Sequence, residues 1–154
     1  MPTWKLPPKI KIYEALGAIA DERIELDGNT SRVYSSSRGK FYTVSYDPDN
    51  NSIMANDNGS YWQGYLGYPS IAYLLATKII SYSPKIAHYL IDIKWKDLNT
   101  QLKNDWDKTI NHLHKTLTPQ QLDLLTTEIN RIHEYLKSHP INKLGKRTKP
   151  PSGY

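Results

Sequence analysis

Cysteine is absent from this chain of 154 residues, and phenylalanine occurs once. Without thiols there is no disulfide, thiolate zinc site, iron–sulfur cluster or cysteine nucleophile, so stability has to come from packing. No run approaches the roughly 20 consecutive apolar residues that span a bilayer. The N-terminal Met1-Pro2-Thr3-Trp4-Lys5-Leu6-Pro7-Pro8 lacks the basic-then-apolar pattern of a signal peptide. The expectation is a cytoplasmic protein with no membrane partner. In place of phenylalanine the chain carries twelve tyrosines, whose rings pack while keeping a polar tip available for contact.

The formal charge is +5, but Lys143, Lys146, Arg147 and Lys149 supply four of it, leaving +1 for residues 1–140. Together with Pro150, Pro151 and Gly153, these cations read as a basic, disordered tail over residues 141–154, with little to bury. Residues 1–140 have the size and the apolar content of one α+β domain.

Within that domain Ile12, Leu16 and Ile19 recur at helical spacing, predicting an amphipathic helix over residues 8–22 with one face inward. The period then falls to two. Residues 23–26, 32–36, 40–46 and 52–56 read as strands of an antiparallel meander, separated by Asp27-Gly28-Asn29, Ser37-Arg38-Gly39 and Asp47-Pro48-Asp49-Asn50-Asn51. Residues 57–69 read as an aromatic, glycine-rich loop. From Ser70 to Ile80 apolar residues run almost all round, which predicts a buried central helix. Ser83-Pro84 opens a shorter one.

Two further stripes, Leu98 to Leu117 and Leu122 to Leu136, predict a helical hairpin over residues 97–138. Thr118-Pro119-Gln120-Gln121 between them has the form of a capping box. Trp95 and Trp106 flank the first arm, where they suit a core or an interface equally.

The order of a hairpin, an aromatic loop and Tyr68-Pro69-Ser70-Ile71-Ala72-Tyr73-Leu74-Leu75 over residues 31–76 resembles the SWIM domain, a zinc-finger-like ββα module. That family's Cys-x-Cys and Cys-x-His positions fall near Ile53 and Ala55, or Met54 and Asn56, and on Tyr68 and Ser70. None of these is a ligand of the family's type, so the resemblance implies a zinc-free form. It also implies an interaction role with nucleic acid or protein, as in a recombination-repair group, and an archaeal setting.

Local catalytic signatures are lacking. Gly59, Gly64 and Gly67 do not have phosphate-loop spacing, and Ser35, Ser36 and Ser37 lack the glycines of a nucleophile elbow. His112 and His114 point about 200° apart on a helix and read as solvated, and His88 and His133 have no ligand partner at helical spacing. Asp47 and Asp49 are turn residues, and the Asn29, Asn50 and Asn58 sequons read as turns. No metal or cofactor is expected.

The leading expectation is a nonenzymatic module that binds nucleic acid or a protein partner. Its candidate contacts are Tyr61, Trp62 and Tyr65 of the aromatic loop, Arg38 and Lys40 of the hairpin, and Lys143, Lys146, Arg147 and Lys149. The alternatives are an enzyme or ligand-binding protein with an aromatic pocket around Tyr61, Trp62 and Tyr65, and a homo-oligomeric structural protein.

Overall fold

The structure, a computed structural model, describes residues 2–151. Pro8 holds an extended backbone and releases the chain into α1, Lys9–Ala20. Turn residues then fold β1 (Ile24–Asp27), β2 (Thr30–Tyr34), β3 (Phe41–Asp47) and β4 (Ser52–Ala55) into an antiparallel meander. A fifth strand, β5 (Asn142–Lys143), joins β4 in parallel, so the sheet is mixed and ordered β1-β2-β3-β4-β5. The molecule is an α+β protein.

One sheet face, with Val33, Tyr42, Val44, Ile53 and Ala55, is buried. It packs on α2, Tyr68–Ala76. Arg32 and Thr43 alternate onto the other face, which is open to solvent at β2 and β3 and covered at β4, where Ser52 and Met54 are buried. α1 packs on α2, and the far side of α1 meets α3 (Pro84–Ala87), the following 3-10 turn and α6 (Pro119–Ser138). The predicted central helix is therefore there, although it ends at Ala76 rather than Ile80 and leaves Ile79 exposed, but the single inward face expected of α1 is not. Every residue from Ile12 to Ala18 is buried, because helices cover both sides of α1.

The first arm of the predicted hairpin is broken. It consists of α4 (Trp95–Gln101) and α5 (Trp106–His114). Lys103 and Asn104 both take left-handed backbone angles, and the Asp105 side chain caps α5 by accepting from the Lys108 N–H. The leucine stripe reads straight through this break because the interruption keeps its spacing. The capping box before α6 is as predicted: Gln121 N–H donates to Thr118 Oγ1 at 3.1 Å, and Thr118 N–H donates to Gln121 Oε1 at 3.0 Å.

The disordered tail expected over residues 141–154 does not begin at 141. Ile141 is buried, β5 extends the sheet, and Lys143 N–H donates to the Pro2 carbonyl. Ile141 supplies the apolar anchor that the charge of the segment obscured. Residues 152–154 of that expected tail lie outside the described residues. Among the described residues no helix is long and apolar enough to cross a membrane.

Trp95 is core, and its position depends on Gly17. A Cβ at residue 17 would lie 2.8 Å from Trp95 Nε1 and 3.3 Å from the Leu90 carbonyl. Gly17→Ala would ordinarily gain about 1 kcal/mol in a helix, whereas overpacking a core costs about 1–3 kcal/mol. The prediction is a net loss of about 1 kcal/mol in chemical denaturation. A more stable variant would show that the indole is not seated on this glycine.

Candidate polar cavity

The burial of α1 has one polar interruption. Lys11 and Glu14, three residues apart on the same face, form a 3.0 Å ion pair that is largely withdrawn from solvent. Lys11 Nζ also lies 5.2 Å from the centre of the Trp106 ring. Burial opposes the charge on Lys11, but Glu14 and the nearby Tyr65 and Asp57 more than offset it, and its pKa rises.

Just past α1 lies Arg23, a guanidinium with 2% exposure. Its Nε donates to Asp21 Oδ2 at 3.1 Å and its Nη1 to the Tyr34 carbonyl at 2.7 Å. Its Nη2 has no hydrogen-bond partner. Such an orphaned buried donor costs about 1–3 kcal/mol.

These groups form one wall of a cavity of about 210 Å³. That is room for on the order of ten waters or one small metabolite. Ser35, Ser36, Lys40 and Tyr42 come from the β2–β3 hairpin, Asp57, Asn58 and Gly59 from the segment after β4, Tyr68 from the start of α2, and Trp95, Lys96 and Asn99 from α4. Tyr42 and Tyr68 meet edge to face at 6.1 Å. Burial, with Tyr42 beside it, holds the Tyr68 phenol well above its ordinary pKa, against the pull of Arg23. Burial lowers the pKa of Lys40, and the positive charge of Lys96 lowers it further.

Asp57 is buried and belongs to the wall through a local structural role. Its Oδ1 accepts from Ser60 Oγ at 2.6 Å and its Oδ2 from Ser60 N–H at 3.2 Å. These bonds start a π-helical turn, Gly59–Gln63, within the segment expected to be a plain loop. Any side chain at Gly67 would collide with the Asp57 carboxylate. Burial raises the Asp57 pKa above 3.8, opposed by the Ser60 bonds and Lys11.

The sequence-predicted residues divide between two places. Lys40 lines the cavity; Tyr61, Trp62 and Tyr65 do not, so the aromatic pocket expected around those three is instead built from Tyr42, Tyr68 and Trp95. Tyr65 is half-buried, edge-on to Trp106 at 6.5 Å. Arg38 braces the hairpin by donating from Nη2 to the Asp21 carbonyl at 2.9 Å. Tyr61, Trp62 and Arg147 do come together, Arg147 Nη1 donating to the Tyr61 carbonyl at 3.0 Å. Lys143 lies in β5 over the Trp4 ring, and Lys146 and Lys149 are exposed.

His112 is exposed as expected, but His114 is not simply solvated. Its Nε2 lies 2.9 Å from Tyr13 Oη, and burial lowers its pKa. No group of three or more possible metal ligands occurs among the described residues.

Among the cavity residues, Lys11, Glu14, Arg23 and Lys96 have no site role in the sequence reading, and Tyr68 and Trp95 enter it in other roles. A lysine and a glutamate three apart inside an otherwise apolar helix were the available signal.

Fold and cavity together define a small α+β protein with a partly open cavity lined by charged, hydroxyl and aromatic side chains. The chain belongs to the family described as uncharacterised conserved protein UCP014422, whose model matches residues 4–142. No curated protein and no solved structure matches it. All the cavity residues fall within the matched span, whereas Lys143, Lys146, Arg147 and Lys149 lie beyond it. The family description mentions neither SWIM domains nor archaea.

Because Asp57 binds its proton more tightly in the fold than in the unfolded chain, its ionisation subtracts stability as pH rises through the folded-state pKa. Asp57→Asn keeps an acceptor for Ser60 and removes that cost. Thermal unfolding across pH should show the variant gaining on the wild type as pH rises above 3.8. A variant that instead loses ground over this range would contradict the assignment.

Proposed function

We propose that this protein binds a small anionic metabolite, one bearing a phosphate or carboxylate, in the cavity between α1, the β2–β3 hairpin and α4. The observation that carries this reading is Arg23, a buried guanidinium in the cavity wall with Nη2 unpartnered. Lys40 and Lys96 support it, being close enough for one to depress the pKa of the other. A buried donor without a partner costs about 1–3 kcal/mol, and an anion accepting from Arg23 Nη2 would remove that cost. Tyr42, Tyr68 and Trp95 supply apolar wall for the remainder of a ligand. The reading is of a binding protein, and we place it in the cytoplasm, consistent with a chain that has no cysteine to oxidise.

Thermal unfolding with inorganic phosphate, sulfate, acetate and chloride at constant ionic strength tests the proposal. At a hundredfold excess over Kd a ligand contributes about 2.7 kcal/mol, a rise of roughly 5–10 °C for a chain of this size. Phosphate or a carboxylate should raise the midpoint more than chloride does, and Lys40→Ala and Lys96→Ala should reduce the rise. Arg23→Met should abolish it, with the lysine variants guarding against a loss of folding at Arg23. Equal midpoints in all four anions would defeat the proposal.

A further inference from the structure

A second feature lies around Trp62 in the π-helical turn, and none of its residues lines the cavity. Trp62 is 65% exposed, although tryptophan carries the largest apolar surface of any side chain. It meets Tyr61 at 4.7 Å with the rings perpendicular, a contact that orients the indole without stacking it.

Three segments converge beside it. Lys5 N–H donates to the Gly64 carbonyl, and Leu66 N–H to the Lys5 carbonyl. Trp4 N–H donates to the Ile141 carbonyl, and Lys143 N–H to the Pro2 carbonyl. The N-terminal segment is thus laced between the aromatic turn and the C-terminal segment, and Arg147 closes the arrangement on the Tyr61 carbonyl.

Residues 1–13, 58–67 and 135–154 contain no aspartate or glutamate. Lys5, Lys146, Arg147 and Lys149 on these segments are exposed, and Lys5 and Arg147 are bonded to the aromatic turn at the Gly64 and Tyr61 carbonyls. Cations tracking a backbone and an exposed aromatic face are the two elements that hold unpaired bases.

We infer that this surface, centred on Trp62 and flanked by Lys5, Lys146, Arg147 and Lys149, binds single-stranded nucleic acid. The indole stacks on a base while the cations meet successive phosphates. A duplex keeps its bases stacked internally and has no face to offer Trp62, so single strands are preferred. No sequence preference is built in, because every base has a π-face.

Fluorescence anisotropy of the full chain with a labelled oligothymidylate of about 15 nucleotides, across a salt series, tests the inference. Binding should weaken as salt rises, with a log–log slope of about −3 if four phosphates are neutralised. Trp62→Ala, at an exposed position where circular dichroism should show an unchanged fold, should weaken binding about tenfold. Lys146→Glu with Lys149→Glu should weaken it and flatten the salt slope. A duplex of equal length should bind less well. The inference is overturned by no binding at low salt, by equal affinity for the duplex, or by binding indifferent to Trp62→Ala. Absence of binding would redirect the surface to an acidic protein partner.

Discussion

The rest of the molecule depends on the burial of α1 on all sides. A helix enclosed by α2, α3 and α6 must hold apolar residues wherever it meets them, and Ile12, Ala15, Leu16 and Ala18 do so with essentially no exposure. Any polar group along such a helix has to be answered internally. Lys11 and Glu14 answer each other, and Arg23, just beyond the helix end, is answered by Asp21 and the Tyr34 carbonyl at two of its three nitrogens. The cavity opens beside these groups because their charges cannot be closed over by carbon. Gly17 is the complementary device, where the absence of a side chain admits the Trp95 indole and brings α4 against α1.

The segment between β4 and α2 serves two surfaces. Asp57, Asn58 and Gly59 line the cavity, while Tyr61, Trp62 and Gly64 face the N- and C-terminal segments. Asp57 holds both sides, since its carboxylate fastens Ser60 and rests on Gly67. A π-helical turn at this point fits the tendency of such turns to occur at functional sites.

Much of the fold was legible in the sequence. The four meander strands, the central helix and the Thr118 capping box follow from period, turn residues and cap chemistry, all of which are local. What was not legible depends on tertiary partners. Nothing in the α1 pattern reveals that its polar-looking face is covered by helices from the far end of the chain. The break at Lys103-Asn104 preserves the leucine spacing and so hides in the stripe. Ile141 is one apolar residue in a basic segment, and its burial depends on Trp4, distant in sequence. Of the site residues named from the sequence, Lys40 reached the cavity, and Trp62 and Arg147 reached a common surface. Arg23 and Glu14 were hidden because a charged residue ordinarily faces water.

On the reading proposed above, the cavity holds an anion around Arg23. A crystal structure of the protein with bound inorganic phosphate at modest concentration tests it most directly. Tetrahedral density is expected in the cavity, within hydrogen-bond reach of Arg23 Nη2 and near Lys40 and Lys96. A cavity filled by ordered water alone, with water satisfying Nη2, would contradict it.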